Sequence, residues 1–250
     1  MDGAATNGQD TRVDGAKPVV AAHVRADAAL CEAVDHIYRA GAHGAVCWAR
    51  NHDGQLRELP MNRWMGGRFT STDDRLADEH VLAQCSARPT LDLGCGPGRF
   101  TAALHSRGHA ALGIDNSLAA VELTRKRGGT AIRADLFAPL PAEGCWDQVL
   151  LADGNIGIGG DPARMLRRAA RLLAPGGLVI VDLESSAAGI WHETLRWETN
   201  EHVSPWFPWS CVGADALGDL ALAAGLVVST IMDMCSRVVA VLTVADNRDA

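Results

Sequence analysis

The sequence predicts an α/β protein with a mostly parallel, seven-stranded sheet, helices on both faces and a C-terminal antiparallel hairpin strand. Two observations lead to this prediction. Between residues 90 and 225, short apolar runs alternate with stretches of helical periodicity, as in repeated strand–helix–strand units. After residue 225, the apolar runs LVVSTIMDM and SRVVAVLTVA abut without room for a crossover helix, so they must pair antiparallel. A hydrophobic content of 48% supports a sizeable core.

The elements of the main domain follow in order. The first strand, TLDLG, precedes the helix GRFTAALHSRG, which ends at Gly108. The second strand, AALGID, precedes a helix that Ser117 caps and Gly128 ends. TAIRAD and CWDQVLLAD are the third and fourth strands, and a helix then starts with Asp161 as N-cap and Pro162 at its first position. LVIVDLE is the fifth strand, and the helix ADALGDLALAAG leads to the final hairpin.

The N-terminal quarter is predicted to form a cap and not an independent domain, because it is too small to bury its own core. A helix is expected over residues 27–40, followed by a hairpin that turns at Asp53-Gly54. The predicted division of the chain is a disordered tail at 1–17, a cap at 18–70 and a main domain at 71–250.

Composition and charge argue against several classes of function. A net charge of −7 disfavours a nucleic-acid partner, and no apolar run approaches the ~20 residues of a membrane helix. The seven cysteines form no C-x-x-C pair, which argues against a zinc ribbon or a radical iron–sulfur site and fits a reducing cytosol. We expect a cytoplasmic protein without metal, acting as a monomer or homodimer on a small molecule.

The stretch DLGCGPG, residues 92–98, predicts a nucleotide-type ligand because it lies between an apolar strand and a helix. Three details favour S-adenosylmethionine over a dinucleotide. The spacing is G-x-G-x-G, with Pro97 where a pyrophosphate would need a backbone N–H. Asp92 would repel pyrophosphate but suits a methionine ammonium. Asp135 ends the third strand, where it can accept from an adenine amine, whereas Asp115 suits the ribose of either ligand.

Several motifs together resemble class I S-adenosylmethionine-dependent methyltransferases, which have a Rossmann-like fold. LDLGCGPGRF resembles their glycine-rich motif, GIDNS their acidic loop, RADLFAPLP their adenine-binding motif and WDQVLLADGNIG their fourth-strand motif. LLAPGGLVIVDLE resembles the turn and fifth strand. The similarity spans about residues 88–184, and the terminal hairpin extends it to 245.

The resemblance implies S-adenosylmethionine as cofactor and S-adenosylhomocysteine as product. The glycines would approach the methionine and ribose, Asp115 the ribose hydroxyls, Asp135 the adenine amine, and the loop at 153–155 the reacting methyl. The implied cofactor-binding residues are Asp92, Gly94, Cys95, Gly96, Gly98, Asp115, Asn116, Ser117, Asp135, Leu136, Asp153, Gly154 and Asn155. Arg68 is a further candidate, as a partner of the methionine carboxylate.

The connection between the fifth strand and the last helix carries four of the seven tryptophans. One interpretation is an aromatic lid over an apolar acceptor, with His192 or His202 as the catalytic base. The other is a hairpin whose tryptophans pack against the sheet edge and whose histidines are solvated. The candidate acceptor-binding residues are Trp64, Trp191, Trp206, Phe207 and Trp209.

The functional hypothesis is methyl transfer to a small, partly apolar metabolite, at oxygen. The loop after the fourth strand reads A-D-G-N and not the N/D-P-P-Y of exocyclic-amine methylases, which disfavours a nucleobase amine. Transfer to nitrogen, sulfur or carbon, a non-catalytic binder of S-adenosylmethionine, and a nicotinamide-dependent reductase stay open as alternatives.

Overall fold

The computed structural model of the chain describes residues 17–66, 70–184, 188–234 and 237–245. Apart from Lys17, the tail predicted at 1–17 lies outside these residues. The described helices are α1 Lys17–Ala42, α2 Met61–Trp64, α3 Thr72–Gln84, α4 Arg99–Ser106, α5 Leu118–Lys126, α6 Pro162–Leu172 and α7 Leu217–Ala223. The described strands are β1 Trp48–Asn51, β2 Leu56–Glu58, β3 Thr90–Leu93, β4 Ala111–Asp115, β5 Ala131–Arg133, β6 Trp146–Leu151, β7 Leu173–Glu184, β8 Ile190–Glu198, β9 Phe207–Val212, β10 Leu226–Asp233 and β11 Arg237–Val244.

Seven strands form one sheet in the order β10-β11-β7-β6-β3-β4-β5. The strands from β3 to β7 pair in parallel, whereas β11 runs antiparallel to both β7 and β10. This arrangement confirms the predicted fold class. The strand order reverses at β3, and in open α/β sheets the crevice beyond the carboxyl end of such a strand is where ligands bind.

Helices cover both faces of this sheet, because successive side chains of each strand point to opposite sides. On one face, Leu91 and Val149 pack with the buried stripe of α6, which includes Met165 and Leu172. On the other face, neighbouring strand residues pack with α3 and α4 through Val81, Phe100 and Leu104, among others. The core thus lies in two layers around the parallel strands.

Two segments far apart in the chain form a second sheet. Its order is β2-β1-β8-β9, with every pair antiparallel. β1 and β2 are the hairpin predicted at Asp53-Gly54, and Gly54 has the positive φ of +83° that such a turn needs. Pairing of Ala49 with Trp197 joins this hairpin to the connection between β7 and α7, a contact that the sequence analysis does not predict.

The long helix α1 begins at Lys17, ten residues before the start expected at residue 27. Asp35 links α1 to the start of α5 by two hydrogen bonds. Its carboxylate Oδ1 accepts one from Ser117 Oγ at 2.5 Å and one from the Ala119 backbone N–H at 3.0 Å. These bonds bring the N-terminal segment beside the carboxyl ends of β3 and β4.

Candidate functional site

The turn after β3 requires glycine at three alternating positions. Gly94, Gly96 and Gly98 have φ values of +74°, +51° and +81°, the left-handed region that other residues rarely adopt. A Cβ on Gly94 would lie 2.7 Å from Asn155 Nδ2, and one on Gly98 would overlap the Thr124 side chain. Asn155 fixes the turn from the other side, because its amide donates to Leu93 O at 2.9 Å and to Gly94 O at 2.8 Å. Backbone therefore forms this surface of the site.

Asp115, at the end of β4, holds the turn with both carboxylate oxygens. Oδ2 accepts from the Gly96 N–H and Oδ1 from the Ser117 N–H, each at 2.9 Å. Burial raises the pKa of Asp115 to about 6, against the lowering effect of those two backbone hydrogen bonds. Each oxygen keeps a further lone pair with which a ligand hydroxyl can bond.

Asp92 lies in β3 beneath the same turn. It is buried and accepts a hydrogen bond from Thr101 Oγ1 at 2.7 Å. Burial raises the pKa of Asp92 to about 7, and the nearby carboxylates of Asp153 and Asp115 contribute to the increase. A cation placed beside Asp92 would favour its ionised form.

Asp153 begins a buried network of ion pairs at the end of β6. Its φ is +52°, and its carboxylate pairs with Arg99 at 2.5 Å and with Arg63 at 3.2 Å. Burial alone would raise the pKa of Asp153, but Arg99, Arg63 and Arg237 together lower it. Asp153 is therefore ionised at neutral pH.

The network of ion pairs extends away from the glycine turn and connects this turn to the C-terminal hairpin. Arg99 also pairs with Asp78 of α3, and Asp78 pairs with Arg237 of β11 at 2.6 Å. Arg237 in turn pairs with Asp182 of β7 at 2.5 Å. Asp182 accepts from the Asp153 backbone N–H at 3.0 Å, which holds the loop after β6 in place.

A cavity of about 340 Å³ lies between the glycine turn and the second sheet. The turn side contributes Asp92, Gly94, Cys95, Gly96, Pro97, Asp153 and Asn155. The opposite side contributes Arg57, Glu58, Leu195, Trp197, Trp209 and Cys211. Tyr38 of α1, and Arg63 and Trp64 of α2, close one end. The second sheet is thus the roof of the site.

Aromatic rings form much of this roof. The Trp64 and Trp197 ring centroids are 5.7 Å apart, and Tyr38 meets them edge-on at 6.4 and 5.9 Å. The Tyr38 hydroxyl faces the turn, 3.3 Å from the position of a Cβ on Gly96. Neither Tyr38 nor Trp197 was among the residues predicted for the site. A signal for Tyr38 was present, because it lies four residues after Val34 on the apolar stripe of its helix.

Eight of the predicted site residues line the cavity. They are Trp64, Asp92, Gly94, Cys95, Gly96, Asp153, Asn155 and Trp209. Gly98, Asp115 and Ser117 shape the turn from behind, and Gly154 continues the loop with a φ of +75°.

The remaining cofactor candidates lie away from this cavity. Asn116 and Asp135 are exposed at the ends of β4 and β5, where an adenine ring is expected. Asp135 accepts from the Phe137 N–H at 2.9 Å. Leu136 is buried in the core, with its carbonyl bound by Arg168 at 2.7 Å. Arg68 lies outside the described residues.

Neither candidate histidine lines this cavity. His192 lies on the face of β8 opposite Trp197, because side chains alternate along a strand, and its Nδ1 is 2.8 Å from Ser210 Oγ. His202 lies in the β8–β9 connection, where its ring stacks on His36 at 4.3 Å. The structure therefore gives neither ring the contact with the cavity that a base would need.

Three of the aromatic candidates also lie outside it. Trp191 is 64% exposed and Trp206 is 39% exposed, and Trp206 stacks on His52 at 4.2 Å. Phe207 packs edge-on against Trp197 at 5.8 Å, behind the lining. The β8–β9 segment is a hairpin, as in the second interpretation, but it lies over the cavity and contributes Trp197 and Trp209 to it.

Two features of the described residues bear on the expected partners. Within the described ranges, every helix is too short or too polar to cross a membrane. The same part of the chain contains no group of three or more histidine, cysteine, aspartate or glutamate side chains arranged to hold a metal ion.

Comparison with known proteins places residues 91–181 in a family described as a methyltransferase domain. Trans-aconitate 2-methyltransferase of Paracidovorax citrulli is 31% identical over 157 residues, which cover 60% of this chain and 57% of that protein. The enzyme of the same name from Methylobacterium radiotolerans is 33% identical over 141 residues, 56% of this chain and 51% of that protein. The chain thus spans just over half the length of these curated relatives.

Solved structures show the same fold. A methyltransferase from Bacteroides fragilis, in complex with S-adenosylhomocysteine, superposes with a TM-score of 0.69 at 20% identity, over 88% of this chain and 97% of that one. The 1,6-didemethyltoxoflavin-N1-methyltransferase of Burkholderia thailandensis superposes with a TM-score of 0.58 at 17% identity, over 94% of both chains.

Proposed function

Because the chain belongs to the class I S-adenosylmethionine-dependent methyltransferase superfamily, we propose that it methylates an oxygen of a small, partly apolar carboxylic acid. S-adenosylmethionine supplies a methyl carbon that is already electrophilic, since it is bonded to a positively charged sulfur. The remaining tasks fall to the protein: to bind both molecules, to orient them in line and to keep water out.

The turn after β3 fits this cofactor. Gly94 and Gly96 line the cavity without side chains, so a ligand can approach the backbone of the turn closely, and Gly98 lets the turn pack against Thr124. Asp92 lines the cavity and can pair, in its ionised form, with the positive charges of the cofactor, whereas Arg99 and Arg63 balance the charge of Asp153. Asp115 lies behind the turn, and each of its oxygens keeps a further lone pair with which the ribose hydroxyls are proposed to bond. The binding assignments of the individual residues belong to the proposal.

One observation favours a carboxylate acceptor: the guanidinium of Arg57 faces the same cavity as the glycine turn. Arg57 forms an ion pair with Glu193, and the Arg57 side chain is 54% exposed. Such pairs contribute little to stability, so an incoming carboxylate can replace Glu193 and form two parallel hydrogen bonds. The curated relatives named for trans-aconitate, itself a carboxylate, support this choice.

A carboxylate acceptor also agrees with the groups around the cavity. Carboxylic acids are ionised at neutral pH, so methylation at their oxygen requires no base. Among the described lining residues there is no histidine. The rings of Trp64, Trp197 and Trp209 provide an apolar wall for the body of the acceptor.

The acceptor atom can be tested with matched compounds. We expect S-adenosylhomocysteine to form from a panel of small acids that includes trans-aconitate, but not from the corresponding amides and alcohols. Mild alkali should release methanol from the product, because an ester hydrolyses and an ether does not. Product from the alcohols or from amines alone would contradict carboxylate methylation. Cofactor binding without any turnover across the panel would identify a non-catalytic binder.

Two arginines of the second sheet provide a matched pair of variants. Arg57 pairs with Glu193 at 2.5 Å and lines the cavity, whereas Arg50 pairs with Glu198 at 2.6 Å and does not line it. We expect Arg57→Met to raise the KM for the acid about tenfold or more and to retain the cofactor affinity. The increase in KM follows because the variant loses a charge-assisted hydrogen bond of about 1.5–3 kcal/mol. Arg50→Met should leave the KM within about twofold. An equal effect of the two substitutions would remove Arg57 from the acceptor site.

A further inference from the structure

A second cavity of about 580 Å³ adjoins the first and shares Arg57, Trp209 and Cys211 with it. The ion pair between Arg57 and Glu193 lies at the boundary, since Arg57 lines both cavities and Glu193 lines the second. The other residues around the second cavity are Asn51, His52, Asp53, Gln55, Gly160, Trp191, His192, Thr194 and Pro208. The two cavities therefore adjoin across this ion pair.

Aromatic rings dominate the apolar surface of the second cavity. Trp191 is 64% exposed here, although a tryptophan side chain carries one of the largest apolar surfaces of any residue. Trp209 forms the wall common to both cavities, and His52 is held in place by stacking on Trp206 at 4.2 Å. Several rings around a single space favour a planar group that can stack on them.

The charges around the second cavity argue against a negatively charged group at this end of the acceptor. Asp53 and Glu193 would repel an anion, and in the proposed function Arg57 is already paired with the acceptor carboxylate. The volume lies within the range of cavities that hold small organic ligands. A neutral planar group meets both the charge pattern and the rings.

We propose that the second cavity binds the distal end of the acceptor and that this end carries a neutral aromatic group. The acceptor is then an aryl-substituted carboxylic acid whose carboxylate lies beside Arg57 and whose ring lies on Trp191. This assignment rests on the proposed function for the position of the carboxylate. The stacking of a ring on Trp191 can nevertheless be measured without any methyl transfer.

The test uses ω-phenylalkanoates of increasing chain length, each compared with the unsubstituted alkanoate of equal length. Affinity is measured by calorimetry on the full chain saturated with S-adenosylhomocysteine. Once the chain is long enough to pass the Arg57–Glu193 pair, the phenyl group should tighten binding roughly two- to tenfold, which is the contribution of one aromatic pair. Shorter members of the series should show no such gain.

Two variants locate the ring. Trp191→Ala should abolish the gain from the phenyl group while leaving the affinity of the short alkanoates unchanged. Ile190→Ala is the matched control, because Ile190 is also exposed, precedes Trp191 in β8 and points to the other face of the strand. It should keep the gain.

The outcomes separate this inference from the proposed function. A phenyl group that gives no gain at any length, or a gain that survives Trp191→Ala, overturns the aryl site even if short acids are methylated. A gain that Trp191→Ala removes supports the aryl site. If that gain is observed but no ester forms, the proposed function is wrong and the aryl site is retained.

Discussion

The two sides of the cavity are built in different ways. The proposed cofactor side consists of turns that directly follow β3 and β6, and several of its residues have left-handed backbone conformations. The proposed acceptor side consists of side chains from a sheet whose strands β1 and β8 are far apart in sequence, as the pair Arg50–Glu198 shows with a separation of 148 residues. A change on the first side distorts the chain, whereas a change on the second alters only what the cavity contacts.

The largest effect should come from adding one carbon to the cofactor side. In Gly98→Ala, the new Cβ would overlap Thr124, whose buried hydroxyl donates to Gly96 O at 3.0 Å. The left-handed φ of +81° adds its own strain. We expect a loss of about 2–5 kcal/mol in the free energy of unfolding, measured by chemical denaturation, together with loss of cofactor binding.

Gly108→Ala is the control for this prediction. Gly108 follows α4 with a similar φ of +77°, but a Cβ there would meet no atom within 4 Å. It should cost only the conformational strain, about 1–2 kcal/mol, and leave the cofactor affinity unchanged. Equal losses in the two variants would mean that the contact with Thr124 contributes nothing.

A smaller effect should follow from the titration of Asp92. Without ligand its pKa is raised to about 7, and the positive charges of S-adenosylmethionine would favour the ionised carboxylate. Lowering the pH from about 8 to about 6 protonates the free protein, so the dissociation constant should rise about tenfold. Calorimetry at several pH values measures this change. S-adenosylhomocysteine lacks the sulfonium charge and should show a weaker dependence.

The stability of the ligand-free protein should change in the opposite direction. A carboxyl whose folded pKa lies above its ordinary value of 3.8 favours folding in its neutral form. That contribution is complete below about pH 4 and is lost as the pH rises to about 7. Asp92→Asn, which can keep the hydrogen bond from Thr101, should reduce the slope of both pH profiles, and the slope that remains belongs to Asp115, whose pKa is raised to about 6. Profiles that do not differ from those of the wild type would show that another group titrates.

The same contrast explains which parts of the molecule the sequence could predict. The glycine turn, Asp115 and the loop at Asp153 follow strands with strong local signals, so both their position and their side of the sheet could be deduced. Nothing local indicates that β1 pairs with β8, because such a pairing depends on the packing of distant segments. Trp197 was therefore not assigned to the site, although the sequence marked its segment as aromatic.

The limits of each helix show the same dependence on packing. The start of α6 was predicted from Asp161 and Pro162, and the structure has both at the N-terminus, with the Asp161 carboxylate accepting from the Arg164 N–H at 2.9 Å. The start of α1 was placed ten residues too late, because it was taken from the apolar periodicity, and Pro18 in the first turn was not used as a start signal. A capping residue, which acts within a single turn of the chain, thus predicts the end of a helix better than apolar periodicity, which depends on tertiary contacts.

The smallest effect should come from the histidines of the acceptor side. His192 lies on the opposite face of β8 from Trp197, and His202 stacks on His36, so neither contacts the first cavity. With a short acid that does not reach the second cavity, His192→Ala and His202→Ala should each change kcat by no more than about twofold, as is usual away from a site. The pH profile of kcat should also keep its shape. If either variant lost more than about a hundredfold in kcat at unchanged cofactor affinity, that histidine would be a base. The β8–β9 hairpin would then have to move when the acceptor binds, and the roof of the site would be a closing lid.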